Sequence, residues 1–210
     1  MGIKADLYLD RIDPLRYFNA RDCRLCGATS CGQWLERIAG GRLDPATCPA
    51  LEPHRRRALE TVLSLDRLLP EVEATQHPLA GPVGYHAVND PTTLSPVLVT
   101  GNAVSTQEVL LAVLATTTAP FHLLFVDCLG HTVDMAMVYG VFSAQRVCAA
   151  IERGKLASRV SHRDLIVPGL TAPVAPALAA LTGWTILVGP ICAGELPLFL
   201  GPAWTGVQEP

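Results

Sequence analysis

The chain has 210 residues, of which half are hydrophobic and 17% charged, and a formal net charge of −3. That length accommodates one ordinary domain, or a small domain beside a larger one, with enough apolar residues for a well-buried core. The charge balance excludes a general nucleic-acid surface: residues 1–60 carry ten Lys/Arg against eight Asp/Glu, and residues 61–210 carry six against eleven. So slight a basic excess is too small for phosphate recognition, although it suits an anionic metal–thiolate group.

From Met1 to Asp13 the residues are polar, without the apolar core of a secretory signal. Seven cysteines follow, four of them in the first quarter of the chain. Without an export signal this pattern favours metal ligation in a cytoplasmic protein over a disulfide framework. Cys23, Cys26, Cys31 and Cys48 are spaced Cys-x2-Cys-x4-Cys-x16-Cys. The close pair puts two thiolates on one turn, and Gly27 lets the backbone fold around a metal. Ser30 is placed to cap a helix from about Cys31 to Ala39, ended by Gly40 and Gly41. Asp44-Pro45 starts a turn that returns the chain to Cys48. Zinc also accepts four thiolates, usually as two close pairs. Three clustered cysteines with a remote fourth, followed by Pro49, instead point to a 4Fe–4S cluster.

Pro53 to Leu69 reads as a helix whose apolar face is Leu59, Val62, Leu63, Leu65 and Leu69, with His54 and Arg55 to Arg57 as a solvated start. Residues 71–95 hold Pro78, Pro82, Gly84 and Pro91 without periodicity and read as a linker. The expected organisation is a cluster domain with its trailing helix over 1–70, a linker over 71–95, and an α/β domain over 96–204.

In that last part, strands are expected at Pro96–Thr100, Phe121–Val126, Leu165–Val167 and Thr185–Val188. Between them, helices run from a Ser105/Glu108 capping box through Leu114, up to Tyr139, and from Ser143 to Glu152. The uncharged run Leu165–Gly194 has the length of a membrane span. Pro168, Gly169, Pro173, Pro176, Gly183, Gly189 and Pro190 break it into short pieces instead. Apolar strands alternating with helices imply a parallel sheet covered on both faces. Each strand ends in a small or polar loop, and ligands of open α/β sheets sit outside those carboxyl ends. No GxGxxG or P-loop follows the first strand, so a nucleotide is disfavoured. Cys148, in an apolar helical stretch, is expected in the core; Cys128 and Cys192 are candidate reactive thiols.

The segment Cys23-x2-Cys26-Gly27-x3-Ser30-Cys31, with Cys48-Pro49, resembles the iron–sulfur domain of the large (gamma) subunit of the corrinoid iron–sulfur protein of the acetyl-CoA synthase/decarbonylase system. Four later blocks resemble the corrinoid domain of the same subunit. They are Pro96–Asn102, Asp127-x2-Gly130-x-Thr132-Val133, Ser161–Gly169 and Gly183–Pro190.

The resemblance implies a Rossmann-like domain holding a base-off corrinoid (cobalamin) at its carboxyl edge. Its Co(I) form accepts and donates a methyl group, and the low-potential 4Fe–4S cluster supports reduction of inactive Co(II). Such a protein is a methyl carrier in an anaerobic methyltransferase system, with separate methyltransferases, a reductive activator and a second subunit as partners.

Carried onto this sequence, the corrinoid loops are Thr100, Gly101 and Asn102; Cys128, Gly130 and Thr132; Pro168 and Gly169; and Gly189, Pro190, Ala193 and Gly194. Thr and Asn there would hydrogen-bond the ring's amide side chains. Met137 stands where a related mercury-methylating protein has a cobalt-facing cysteine. His131 is a further axial candidate, although the Asp-x-His-x-x-Gly motif of histidine-ligated corrinoid proteins is absent.

The chain departs from the family in two ways. Residues 71–95 leave no room for the family's TIM barrel, and Met137-Val138-Tyr139-Gly140-Val141 replaces the usual Ala-Ala-Gly-Lys helix end. The alternative is an iron–sulfur electron-transfer or sensory module whose α/β domain binds a protein partner and no corrinoid.

Overall fold

The computed structural model describes residues 2–4, 8–18, 27–48, 51–73 and 77–206. Cys23 and Cys26 lie outside these residues. Near the N-terminus, strand β1 (Gly2–Lys4) pairs antiparallel with β2 (Glu71–Glu73), Ile3 opposite Val72. Helix α1 (Cys31–Ala39) begins as its sequence suggests, with the Ser30 hydroxyl accepting from the Gln33 N–H. Asp44 caps the turn over Pro45–Thr47 by accepting from the Ala46 N–H at 2.8 Å. The helix expected from Pro53 to Leu69 is broken at Ser64 into α2 (Pro53–Leu63) and α3 (Leu65–Leu68). Trp34, Ile38, Cys48, Leu51 and Leu59 form a small core between α1 and α2.

The larger sheet has the order β3-β5-β4-β6-β7. β4 (Val97–Gly101), β5 (Phe121–Val126), β6 (Asp164–Val167) and β7 (Thr185–Val188) are parallel. β3 (Gly84–Val88) is antiparallel to β5, with His86 opposite Leu123. The sheet is therefore mixed, and part of the stretch read as linker is an edge strand. Its pattern was hidden because it is a half-buried edge strand: Tyr85 packs on one core and Val88 on the other while Ala87 is exposed, so no apolar–polar alternation marks it.

The central strands send alternate residues to two cores. Val97, Val99, Leu124, Val126, Leu165 and Val167 face α5 (Val133–Val138), α6 (Ala144–Arg153) and α7 (Ala175–Thr182). Leu98, Phe121, Leu123, Phe125 and Ile166 face α3, α4 (Val104–Leu114) and α8 (Leu196–Leu200). Helix α2 packs on α8, so the element trailing the cysteine segment lies against the sheet domain. Among the described residues no helix is long and apolar enough to cross a membrane.

The expected capping box of α4 does not form. The helix starts at Val104, capped by Ala103 without a side-chain bond. The reason lies upstream: Ala80 pairs with Ala103, and the Val104 N–H donates to the Leu79 carbonyl. That pairing fixes the helix start one residue ahead of Ser105, which then lies inside the first turn.

Candidate functional site at the carboxyl edge of the sheet

The chain passes from β4 to β5 on one side and later to β6 on the other. The switch point of the sheet is therefore the gap between the carboxyl ends of β4 and β6, where open α/β sheets bind ligands. A cavity of about 320 Å³ lies there. Its floor is apolar, from Leu98, Val99, Ile166, Val167 and Leu110, and its rim carries Thr100, Ser105, Thr106 and Thr132. The hydroxyls of Thr100, Ser105 and Thr106 have no hydrogen-bond partner among the described residues. An apolar floor with unpartnered hydroxyls at the rim fits a flat apolar ligand bearing polar substituents. A second, shallower basin of about 590 Å³ adjoins it and shares Ser105 and Thr132, with His131, Met135 and Tyr139 on its wall.

The expected loops divide between lining and scaffolding. Thr100, Thr132, Pro168, Gly189, Pro190 and Ala193 line the edge cavity, and Gly130 lines the neighbouring basin. Asn102 is 2% exposed. Its Oδ1 accepts from the N–H groups of Cys128 (2.7 Å) and Gly130 (3.3 Å), and its Nδ2 donates to the Gly81 carbonyl. Its amide is therefore spent on the protein, tying the β4 and β5 loops to residues 79–81. Leu129 (φ 58°) and Gly130 (φ 76°) are both left-handed in that turn. A Cβ on Gly130 would stand 2.5 Å from the Ala80 nitrogen, so only glycine permits the approach.

Gly101 packs against Cys128, and a Cβ there would be in ordinary contact with the Sγ at 3.4 Å. Cys128 is fully buried, and burial, the largest influence, pushes its thiol up from 9.0 to about 11. Burial also raises Cys192, which lines the cavity. Burial thus works against the thiolate form at both of these candidate thiols. Cys148 departs from its expected core position: it is half-buried, with its thiol directed at Glu152 Oε1, 3.8 Å away.

Met137 packs against the core under α5 and lines neither cavity; Met135 is the methionine at the basin wall. His131 stands in that wall with its ring 4.8 Å from the Tyr139 ring. Gly169 permits the contact between two edge loops, because a Cβ would meet Ile191 N at 2.8 Å and Gly189 O at 2.9 Å. Gly194 is scaffolding: it faces the side chain of Leu65 and lies outside the cavity lining.

Several cavity residues were missed from sequence. Ser105 and Thr106 were absorbed into the helix-capping pattern. Asp134 sits in the first turn of α5, and Tyr8 arrives from a segment more than 85 residues before β4. Only the pairing of Ser105, Thr106 and Val109 on one face of α4 could have signalled them.

Of the four N-terminal cysteines, Cys31 and Cys48 are described. Cys48 is 4% exposed with a free thiol, and Cys31 is disulfide-bonded. A cystine sulfur has no thiolate to give a metal, so ligation by Cys31 requires the reduced form. Among the described residues no three His, Cys, Asp or Glu side chains converge on one metal position.

Residues 65–200 match the family model described as CO dehydrogenase/acetyl-CoA synthase delta subunit. The chain is 34% identical over 121 residues to the acetyl-CoA decarbonylase/synthase complex subunit gamma of Archaeoglobus fulgidus, covering 58% of this chain and 26% of that one. It is 34% identical over 117 residues to the subunit gamma of Methanopyrus kandleri (56% and 25%). It is 35% identical over 105 residues to the corrinoid/iron-sulfur protein large subunit of Moorella thermoacetica (50% and 24%). The chain thus spans about a quarter of the length of these curated relatives.

Proposed function

Because the chain belongs to the CO dehydrogenase/acetyl-CoA synthase delta subunit family, we propose that it is a corrinoid iron–sulfur methyl carrier. The observation that carries this reading is the cavity at the β4/β6 switch point, with its apolar floor and the unpartnered hydroxyls of Thr100, Ser105 and Thr106 at its rim. When bound there, the corrinoid supplies the chemistry: a strongly nucleophilic cobalt that takes up a methyl group and passes it on.

The residues of this chain orient and shield it. Leu98, Val99, Ile166 and Val167 keep water from the ring face. Thr100, Ser105, Thr106 and Thr132 offer hydrogen bonds to polar substituents at its margin. Gly101, Gly169 and Gly189 keep the loops thin enough for close approach, and Asn102 holds the loop geometry without touching the ligand. Cys23, Cys26, Cys31 and Cys48 would together hold a 4Fe–4S cluster as thiolates, to deliver an electron when cobalt has been over-oxidised. Neither Met137 nor Cys128 has the position of a cobalt ligand: one is packed on the core and the other sealed beneath Gly101. His131 stays available on the basin side. Subunits of an acetyl-CoA-forming complex, methyltransferases and a reductive activator are the partners this reading requires.

The test is a titration of the anaerobically prepared chain with hydroxocobalamin, followed by gel filtration and visible absorbance. Wild-type protein is expected to retain a corrinoid spectrum, and Thr106→Trp, which fills the cavity, to lose it. Wild-type protein that retains no corrinoid would overturn the reading. In that event the exposed apolar side chains at Leu129, Val138 and Tyr139 favour the second reading, an electron-transfer module that docks a protein partner on this edge.

A further inference from the structure

Two short turns, Leu9–Arg11 and Pro14–Tyr17, carry the N-terminal segment from Asp134 of the edge-cavity lining to Glu195. Tyr8 is itself part of the cavity lining, while Leu9 and Ile12 pack against the core on that side of the sheet. Each end of the segment is fastened by a tyrosine hydroxyl. Tyr8 donates to Asp134 Oδ2 at 3.2 Å, and Asp134 Oδ1 accepts in turn from Thr132. Tyr17 donates to Glu195 Oε1 at 2.7 Å, with Arg16 Nη1 3.7 Å from the same oxygen.

Glu195 is 2% exposed and follows Ala193 of the cavity wall by two residues. A carboxylate so buried is costly to leave without partners. Between the two latches Leu9 and Ile12 hold the segment to the core, while its arginines point outward, with the Arg11 and Arg16 side chains 64% and 66% exposed.

We propose that residues 8–17 form a latched strap over the sheet edge, held shut by Tyr8–Asp134 and Tyr17–Glu195, which lifts to admit the ligand. The inference rests on the corrinoid reading for the ligand, but the latch stands on its own contacts. With the strap in place the cavity is about 320 Å³, at the small end of the roughly 300–1,000 Å³ of small-molecule sites. Lifting the strap takes Tyr8 out of the lining and widens the opening for a larger ligand.

Limited trypsin digestion of the full chain tests this, with cleavage after Arg11 and Arg16 read by mass spectrometry against cleavage after Lys155. Lys155 lies in an exposed turn between α6 and β6. Tyr8→Phe and Tyr17→Phe remove only the hydroxyls. The double variant should raise the strap-to-reference cleavage ratio about tenfold or more, as expected for two lost hydrogen bonds to charged groups. Saturating hydroxocobalamin should raise the wild-type ratio as well. An unchanged ratio in the double variant, or bound cobalamin that leaves or lowers the wild-type ratio, overturns the strap. If visible spectra show that no variant retains cobalamin, the corrinoid reading fails instead. The ratio of the double variant then decides the latch alone: a rise upholds it and no change overturns it.

Discussion

Replacing Asn102 by alanine should destabilise the sheet domain whether or not a ligand is present. The substitution strips the acceptor from two buried N–H groups, at 2.7 Å on Cys128 and 3.3 Å on Gly130, and the donor from the Gly81 carbonyl. A buried polar group left unsatisfied costs about 1–3 kcal/mol. The short bond counts fully and the two long ones near the lower limit, giving a loss of roughly 3–5 kcal/mol. In a chain of this size Tm should fall by roughly 2–4 °C per kcal/mol. Urea unfolding followed by tryptophan fluorescence reads it directly, because Trp184 and Trp204 are both buried in this domain. The midpoint should drop with the slope unchanged. Asn102→Asp keeps the two acceptors and loses only the donor, so its loss should be smaller unless the buried charge dominates. A change below about 0.5 kcal/mol for Asn102→Ala, the scale of an ordinary surface substitution, would refute the scaffolding role. The residue would then return to the set expected to touch the ligand.

Gly130→Ala combines a positive φ with a backbone clash at Ala80 and should cost more than about 3 kcal/mol, measured in the same melts. Iodoacetamide at pH 8 on the reduced native chain should label Cys148 well ahead of the buried Cys128 and Cys192, as read by peptide mass spectrometry; rapid labelling of Cys128 would contradict its burial. Cys128 also sets an alkaline limit. Its folded pKa of about 11 lies above the ordinary 9.0, so between those values the folded state binds more protons than the unfolded state and stability falls as pH rises. The loss, at most about 2–3 kcal/mol by pH 11, should be reduced in Cys128→Ala, as judged by urea midpoints between pH 8 and 11. Cys48→Ser should abolish bound iron and sulfide while leaving cobalamin retention near the wild-type level, by metal analysis; retention of the full iron content would exclude Cys48 as a ligand.

The four parallel strands and most of the helices were legible in the sequence because their apolar runs are short, unbroken and punctuated by glycine and proline. β4, β5 and β6 needed no alternation, since both faces are buried. β3 was concealed for a different reason: it is a half-buried edge strand, and Gly84, Tyr85 and His86 look like turn chemistry until Leu123 and Leu124 stand beside them. The loops at the carboxyl edge were legible as positions, since Thr100, Pro168 and Gly189-Pro190 do line the edge cavity. Their division of labour was not. Whether Asn102 faces a ligand or the Cys128 amide depends on the chain crossing at Leu79–Gly81, which no local pattern encodes. Met137 and Met135 differ by two helical positions, and a six-residue helix is too short for periodicity to say which one faces inward. Tyr8 and Tyr17 could not be found at all, because their partners Asp134 and Glu195 are 126 and 178 residues away.

Cobalt and iron per chain, measured after anaerobic incubation with hydroxocobalamin, reducing reconstitution with iron and sulfide, and desalting, test the central claim most directly. The account predicts equimolar cobalt with the iron and sulfide of a four-iron cluster, and loss of the cobalt alone in Thr106→Trp. Protein that keeps iron but no cobalt, or that carries zinc on its N-terminal cysteines, would contradict it.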